Sequence, residues 1–174
     1  MLRAVGADVV LVRRAEHLEG LAGLVLPGGE STTIAHLLTT SGVRDALGEG
    51  LRSGLAVLGT CAGLILLSRH VLDGRADQWS YGALDVSVRR NGYGRQIASF
   101  ETSIDVRGIG TIPGVFIRAP RIEQWSDDVE VLAVYDSGDG EHPVLVRQAA
   151  IWGCSFHPEL TGDERIHRLF VGAL

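Results

Sequence analysis

The segment that most constrains the fold runs from Leu55 to Gly63. Leu55-Ala56-Val57-Leu58 is an apolar run that reads as a buried strand, and it leads directly into Gly59-Thr60-Cys61-Ala62-Gly63. The apolar stretch that follows, to about His70, reads as a helix. A buried strand, a Gly-x-Cys-x-Gly turn and a helix form a strand-to-helix elbow. Such a turn forces its apex residue into a strained backbone conformation, and the flanking glycines let helix and strands pack closely. The apex side chain then projects at the carboxyl edge of a sheet, where open α/β folds bind ligands. A thiol there sits at a helix N-terminus, which favours its anionic form and offers N–H groups to negative charge. Cys61 is therefore a candidate nucleophile. Cys154, inside a later apolar run, reads as packing.

Around this elbow the chain alternates. Val9-Val10-Leu11-Val12 and Gly23-Leu24-Val25-Leu26 read as buried parallel strands. A helix is predicted from Ser31, where Ile34, Leu37 and Leu38 recur at helical spacing and Ser31 or Thr32 would serve as N-cap. A second is predicted over Val43 to Leu51. The middle changes character. Leu84 to Arg89, Ile97 to Val106, Val115 to Arg118, Val129 to Tyr135 and Val144 to Arg147 read as β segments between Gly, Asp and Pro turns. Ala150 to Phe156 is a last strand and Asp163 to Val171 a closing helix. The expected fold class is α/β, a mostly parallel open sheet flanked by helices with an antiparallel extension.

Composition narrows the function classes. A chain of 174 residues, 45% hydrophobic and 21% charged, fits one domain with its own core and is unlike a disordered segment. Its apolar runs fall far short of the roughly 20 residues of a membrane-spanning helix, and no membrane association is expected. The formal net charge is −5 and basic residues occur at most in pairs such as Arg13-Arg14 and Arg89-Arg90, which argues against nucleic acid as partner. Two cysteines do not make a disulfide framework, so a reduced, cytoplasmic setting is expected. His36, His70 and His167 lack ligand spacing, and Asp139, Glu141 and His142 lie in a Gly-rich turn, so no metal site is assigned. Trp79, Trp125 and Trp152 are scattered and read as packing.

Two further motifs can complete a site around Cys61. Phe156-His157-Pro158-Glu159-Leu160 follows a strand. In an extended segment, residues at i and i+2 project to one side, so Glu159 can orient His157 and stabilise its charged form. Pro27-Gly28-Gly29-Glu30-Ser31 joins a strand to a helix, and its glycines let backbone N–H groups face a ligand as an oxyanion hole or an anion cradle. It lacks the Gly-Lys-Ser/Thr of a nucleotide-binding P-loop.

The elbow together with Phe156-His157-Pro158-Glu159 resembles the class I (triad) glutamine amidotransferases, whose fold is flavodoxin-like. Leu24 to Thr33, Arg90-Asn91-Gly92-Tyr93-Gly94-Arg95-Gln96, Val115-Phe116-Ile117-Arg118-Ala119-Pro120 and Ser155 to Asp163 are similar to the glutaminase subunits of pyridoxal 5′-phosphate synthases. The resemblance covers nearly the whole chain. It implies that Cys61 attacks the side-chain amide of L-glutamine, that His157 moves the protons and that Glu159 orients His157. It implies an oxyanion hole from the N–H groups of Gly29 and Ala62, and a glutamine site lined by Gly29, Glu30, Ser31, Arg90, Ile117 and Arg118, with Arg89 or Arg95 as alternatives to Arg90. It implies ammonia delivery to a separate synthase subunit, a (β/α)8 barrel, and no cofactor held by this chain.

Members of that family begin with an additional strand, a Leu-Gln-Gly turn and a helix. This chain is expected to be a single glutaminase domain over 1–174 that lacks that strand and most of that helix, a misplaced start being favoured over a true shortening. A true shortening would lead to weak activity and poor solubility. The resemblance leaves two alternatives: a glutaminase subunit of another triad amidotransferase, or a catalytically weak docking subunit.

Overall fold

A computed structural model describes residues 1–75, 78–93 and 99–174. Its centre is a five-stranded sheet in the order β1-β2-β10-β9-β8. Strands β1 (Gly23–Leu26), β2 (Ala56–Thr60) and β10 (Ile151–Cys154) run parallel, with Val25 opposite Leu58 and Trp152 opposite Leu58 on its other side. Strands β9 (Glu141–Gln148) and β8 (Glu130–Asp136) continue the sheet antiparallel. A second sheet has the order β3-β4-β7, from Ser68–Val71, Leu84–Arg89 and Arg121–Trp125. Strands β5 (Ser99–Val106) and β6 (Gly110–Ile117) form a hairpin. The helices are α1 (Ser31–Thr40), α2 (Val43–Arg52), α3 (Ala62–Leu67) and α4 (Arg165–Val171).

The sheet is buried on both faces because its central strands carry apolar residues at successive positions, not only at alternate ones. Val57 and Leu58 are neighbours on β2 and both are fully buried, yet they serve opposite cores. Val57 joins Leu26, Val43, Leu47 and Leu64 on the face covered by α1, α2 and α3. Leu58 joins Trp152, Phe116, Phe156 and Phe170 on the face covered by the β5–β6 hairpin and α4. Aromatic rings dominate the second core, with Phe100 and Phe116 stacked at 4.5 Å.

Several elements depart from the sequence reading. Val9-Val10-Leu11-Val12 is not a strand. Val12 packs against the first core, but Val10 and Leu11 are 54% and 66% exposed. Among the described residues no ladder lies alongside these, and a β-prone run without a neighbour has nothing to pair with. The helix after Cys61 ends at Leu67 rather than near His70. The Ser68 hydroxyl donates to the carbonyl of Ile65 at 2.7 Å and the backbone turns extended into β3. The N-cap of α1 is Glu30, which precedes the expected Ser31 or Thr32. Strand β6 begins at Gly110 and carries Pro113, and β7 was not read from the sequence at all. The start of the Ile97 to Val106 segment lies outside the described residues.

Candidate active site

The elbow is built by close packing. Cys61 has φ 48° and ψ −102°, a left-handed conformation that a non-glycine residue adopts only under constraint. The constraint is the approach of α3 to the strands. A Cβ on Gly63 would stand 2.0 Å from the Leu26 carbonyl oxygen, and one on Gly59 would stand 2.7 Å from the Gly63 carbonyl carbon. Glycine at both positions lets the helix begin at once beneath β1, and the Cys61 N–H donates to the Cys154 carbonyl at 2.7 Å. The thiol is nearly buried and donates to the Ile117 carbonyl at 3.8 Å.

His157 comes from the segment after β10, the strand beside the one that carries Cys61. Its N–H donates to the Val115 carbonyl at 2.8 Å, which fixes the segment against β6. The next residues, Pro158–Leu160, form a 3-10 turn instead of the expected extended segment. The turn still brings Glu159 round, with Oε1 2.7 Å from His157 Nδ1. Interaction with the Cys61 side chain, then the bond to Glu159, raises the His157 pKa from 6.5 to about 9 against the opposing effect of burial. Burial works against the charged Glu159 carboxylate, but the hydrogen bond from His157 and further favourable contacts leave its pKa lowered. Gly28 closes the other side: a Cβ there would stand 2.4 Å from the His157 ring and 3.3 Å from the Cys61 Cβ.

Of the expected substrate-side residues, Glu30 and Arg90 meet where the start of α1 faces the end of β4. Gly29 has φ 142°, a left-handed region that favours glycine. The Glu30 carboxylate accepts from the N–H groups and hydroxyls of both Thr32 and Thr33. The Thr32 hydroxyl leads these donors in holding its pKa at about 2, with burial opposing. Ser31 is 3% exposed. Arg90 Nη2 stands 3.6 Å from Glu30 Oε1. Arg89 turns away to Glu123, with Nε at 2.9 Å from Oε1, and Arg95 lies outside the described residues. Ile117 is 41% exposed, and Arg118 beside it has φ 45° at the bend into β7.

Other candidates fall elsewhere. Cys154 is fully buried with its thiol on the Phe156 carbonyl at 3.3 Å, and burial pushes its pKa well up. Asp139 takes an ion pair from Arg121 at 2.6 Å. Among the described residues, no group of three or more His, Cys, Asp or Glu is placed to hold a metal ion, and no helix is long and apolar enough to cross a membrane. Two participants were missed by sequence reading. Gln78 accepts from Arg90 Nη1 at 3.0 Å, and Asp73 accepts from the Arg90 N–H at 2.7 Å. Neither lies in a recognisable motif.

Comparison with known proteins fits this geometry. The model of the SNO glutamine amidotransferase family matches residues 1–174. The pyridoxal 5′-phosphate synthase subunit PdxT of Mycobacteroides abscessus is 52% identical over 171 residues, which span 98% of this chain and 86% of that protein. The PdxT subunit of Frankia alni is 54% identical over 172 residues, 98% of this chain and 84% of that one. A crystal structure of a glutamine amidotransferase superposes with a TM-score of 0.91 at 46% identity, covering 99% of this chain and 89% of that chain. A glutamine amidotransferase from Thermotoga maritima, 13% identical, shares the fold at a TM-score of 0.55 over 89% of this chain and 63% of its own. Matched from its first residue to its last, and with relatives identical at half of the aligned positions, the chain belongs to the SNO glutamine amidotransferase family.

Proposed function

We propose that this chain, as a single glutaminase domain, hydrolyses L-glutamine to L-glutamate and ammonia as the glutaminase subunit of a pyridoxal 5′-phosphate synthase. The ammonia passes to a separate synthase subunit, a (β/α)8 barrel, in vitamin B6 synthesis. A cytoplasmic location goes with this reading, and free thiols at both cysteines suit it. The observation that carries it is the line from Cys61 through His157 to Glu159, with the nucleophile strained at the head of α3.

The chemistry follows from that line. Cys61 passes its thiol proton to His157 and attacks, as thiolate, the amide carbon of the substrate side chain. The carbonyl oxygen takes the negative charge, and the N–H groups of Gly29 and Ala62 receive it; one such donor is worth about 2.7–4 kcal/mol. His157 gives its proton to the departing nitrogen, ammonia leaves, and a γ-glutamyl thioester remains. His157, now neutral, takes a proton from water, which attacks the thioester and releases glutamate and the thiolate. Glu159 keeps the imidazole oriented and stabilises its charged form. Glu30 and Arg90, 3.6 Å apart, offer both signs of charge to the zwitterionic end of an amino acid, with Arg90 suited to the carboxylate. Gly29, Ser31, Ile117 and Arg118 line the remainder.

The test is release of ammonia and glutamate from L-glutamine with the synthase subunit present. Cys61→Ala is expected to lower it at least about a thousandfold with an unchanged thermal transition. Normal turnover in that variant overturns the reading.

A further inference from the structure

The proposed glutamine site draws Glu30 and Arg90 from separate parts of the chain, and these two charged groups need a common reference. Glu30 and Ser31 begin α1, whereas Arg90 follows β4. We infer that Gln78 is the positioning residue that ties them together and so sets the hold on the substrate carboxylate. This rests on the reading of Arg90 as the carboxylate anchor.

Gln78 stands in the connection between β3 and β4 and uses both ends of its amide. Oε1 accepts from Arg90 Nη1 at 3.0 Å, and Nε2 donates to Ser31 Oγ at 3.4 Å. The amide can face only one way. Arginine has donors and no acceptor, so the carbonyl must meet Arg90 and the NH2 group is left for the hydroxyl of Ser31. Ser31 is itself buried at the start of a helix, so it supplies a fixed reference point. The same connection grips Arg90 a second time, through Asp73 Oδ1 on its backbone N–H at 2.7 Å. Arg90 thus has its backbone held by Asp73 and its guanidinium by Gln78, with Glu30 beside Nη2. A guanidinium carries five N–H donors in a rigid fork. One is used by Gln78, which leaves four, with Nη2 beside Glu30. Without the amide, a long flexible side chain must be ordered anew each time substrate binds.

Steady-state kinetics of the complex with the synthase subunit test this, with L-glutamine compared against its α-amide, which lacks the carboxylate. Gln78→Leu is expected to raise KM for L-glutamine about 5- to 20-fold, the size of a lost hydrogen bond to a charged group, with kcat within about twofold. KM for the α-amide should hardly move, so discrimination between the two substrates collapses. Gln78→Glu keeps an acceptor for Arg90 and should recover most of the affinity for L-glutamine. Arg90→Gln run in parallel separates the two layers. If it leaves KM for L-glutamine unchanged, the reading of Arg90 fails and the inference with it. If it raises KM while Gln78→Leu changes it less than twofold, Arg90 stands and the role of Gln78 is overturned. A Gln78→Leu effect of equal size on both substrates, or one confined to kcat, also overturns it.

Discussion

Leu55-Ala56-Val57-Leu58 and Val9-Val10-Leu11-Val12 are both four-residue apolar runs read as strands, and they are opposites in structure. The first run supplies most of β2, the central parallel strand, paired on one side with β1 and on the other with β10. Its Val57 and Leu58 are fully buried in opposite cores. The second run has no strand partner among the described residues, and two of its four side chains face solvent. What separates them is the surroundings. A strand is stabilised by its ladder and by what covers its faces, so β-branched composition is a licence to pair rather than a conformation. The proposed chemistry sits where the licence is used: Cys61 directly follows β2, and the segment after its neighbour β10 carries His157.

The largest effect is expected where the elbow depends on glycine. Gly63→Val would place a side chain against the Leu26 carbonyl, where even a Cβ stands 2.0 Å away. The contact is to backbone, so it cannot be relieved by a rotamer change. The variant is expected to lose at least about 4 kcal/mol or fail to fold, and to show no glutaminase activity. Denaturant unfolding and the near-ultraviolet spectrum measure this, and native stability would mean that α3 does not lie against β1 as described.

Leu58→Ala comes next. Emptying a fully buried site is expected to cost about 2–5 kcal/mol, depending on how far Trp152 and Phe170 can settle inward. The midpoint of urea unfolding should fall with an unchanged slope. A loss below about 1 kcal/mol would erase the distinction between the two runs from the buried side.

A smaller effect ties the stability of the buried region to pH. His157 binds its proton more tightly in the fold, its pKa rising from 6.5 to about 9 chiefly through Cys61 and Glu159. The stabilisation is fully present below pH 6.5 and is lost as pH rises through about 9. Tyr81, pushed up from 10 to about 12 by burial, removes stability only above pH 10, so the two effects separate. Unfolding midpoints measured from pH 6 to pH 9.5 should fall in the native chain and fall less in His157→Gln. Identical slopes in both would show that the histidine is not the titrating group.

The sequence carried the site further than it carried the surroundings. Gly59, Cys61 and Gly63 have a spacing that only an elbow demands, so the strand, the turn and the start of α3 could be read directly. The pairing of His157 with Glu159 was expected, though from an extended segment; Pro158 starts a 3-10 turn that brings the same groups together by another path. The stop at Leu67 hangs on one back-bonding serine inside an unbroken apolar run, which periodicity cannot detect. Glu30 caps α1 in place of the expected Ser31 or Thr32, because two following threonines give its carboxylate four donors. Gln78 reaches across from another element, and a contact of that kind leaves no trace in local pattern.

The smallest expected effect carries the sharpest test of the comparison. Leu11 is 66% exposed, so Leu11→Ser exchanges an apolar side chain already in water for a polar one. Little transfer free energy is at stake and no cavity is made, and the expected change in stability is within about 0.5 kcal/mol. Val12→Ser provides the internal contrast, because Val12 packs against the first core while its neighbour does not. If the run behaved as a strand with one buried face, alternate positions would be buried, and Leu11 would share a face with Val9 while Val12 shared one with Val10. Instead Val10 and Leu11 are exposed together, so Val10→Ser and Leu11→Ser should both be near neutral and Val12→Ser alone should cost more than either. Unfolding midpoints of the three variants decide it. A cost above about 2 kcal/mol at position 11 would mean that this run is covered in solution by something that pairs with it, and the two runs would then differ in their partners rather than in their burial.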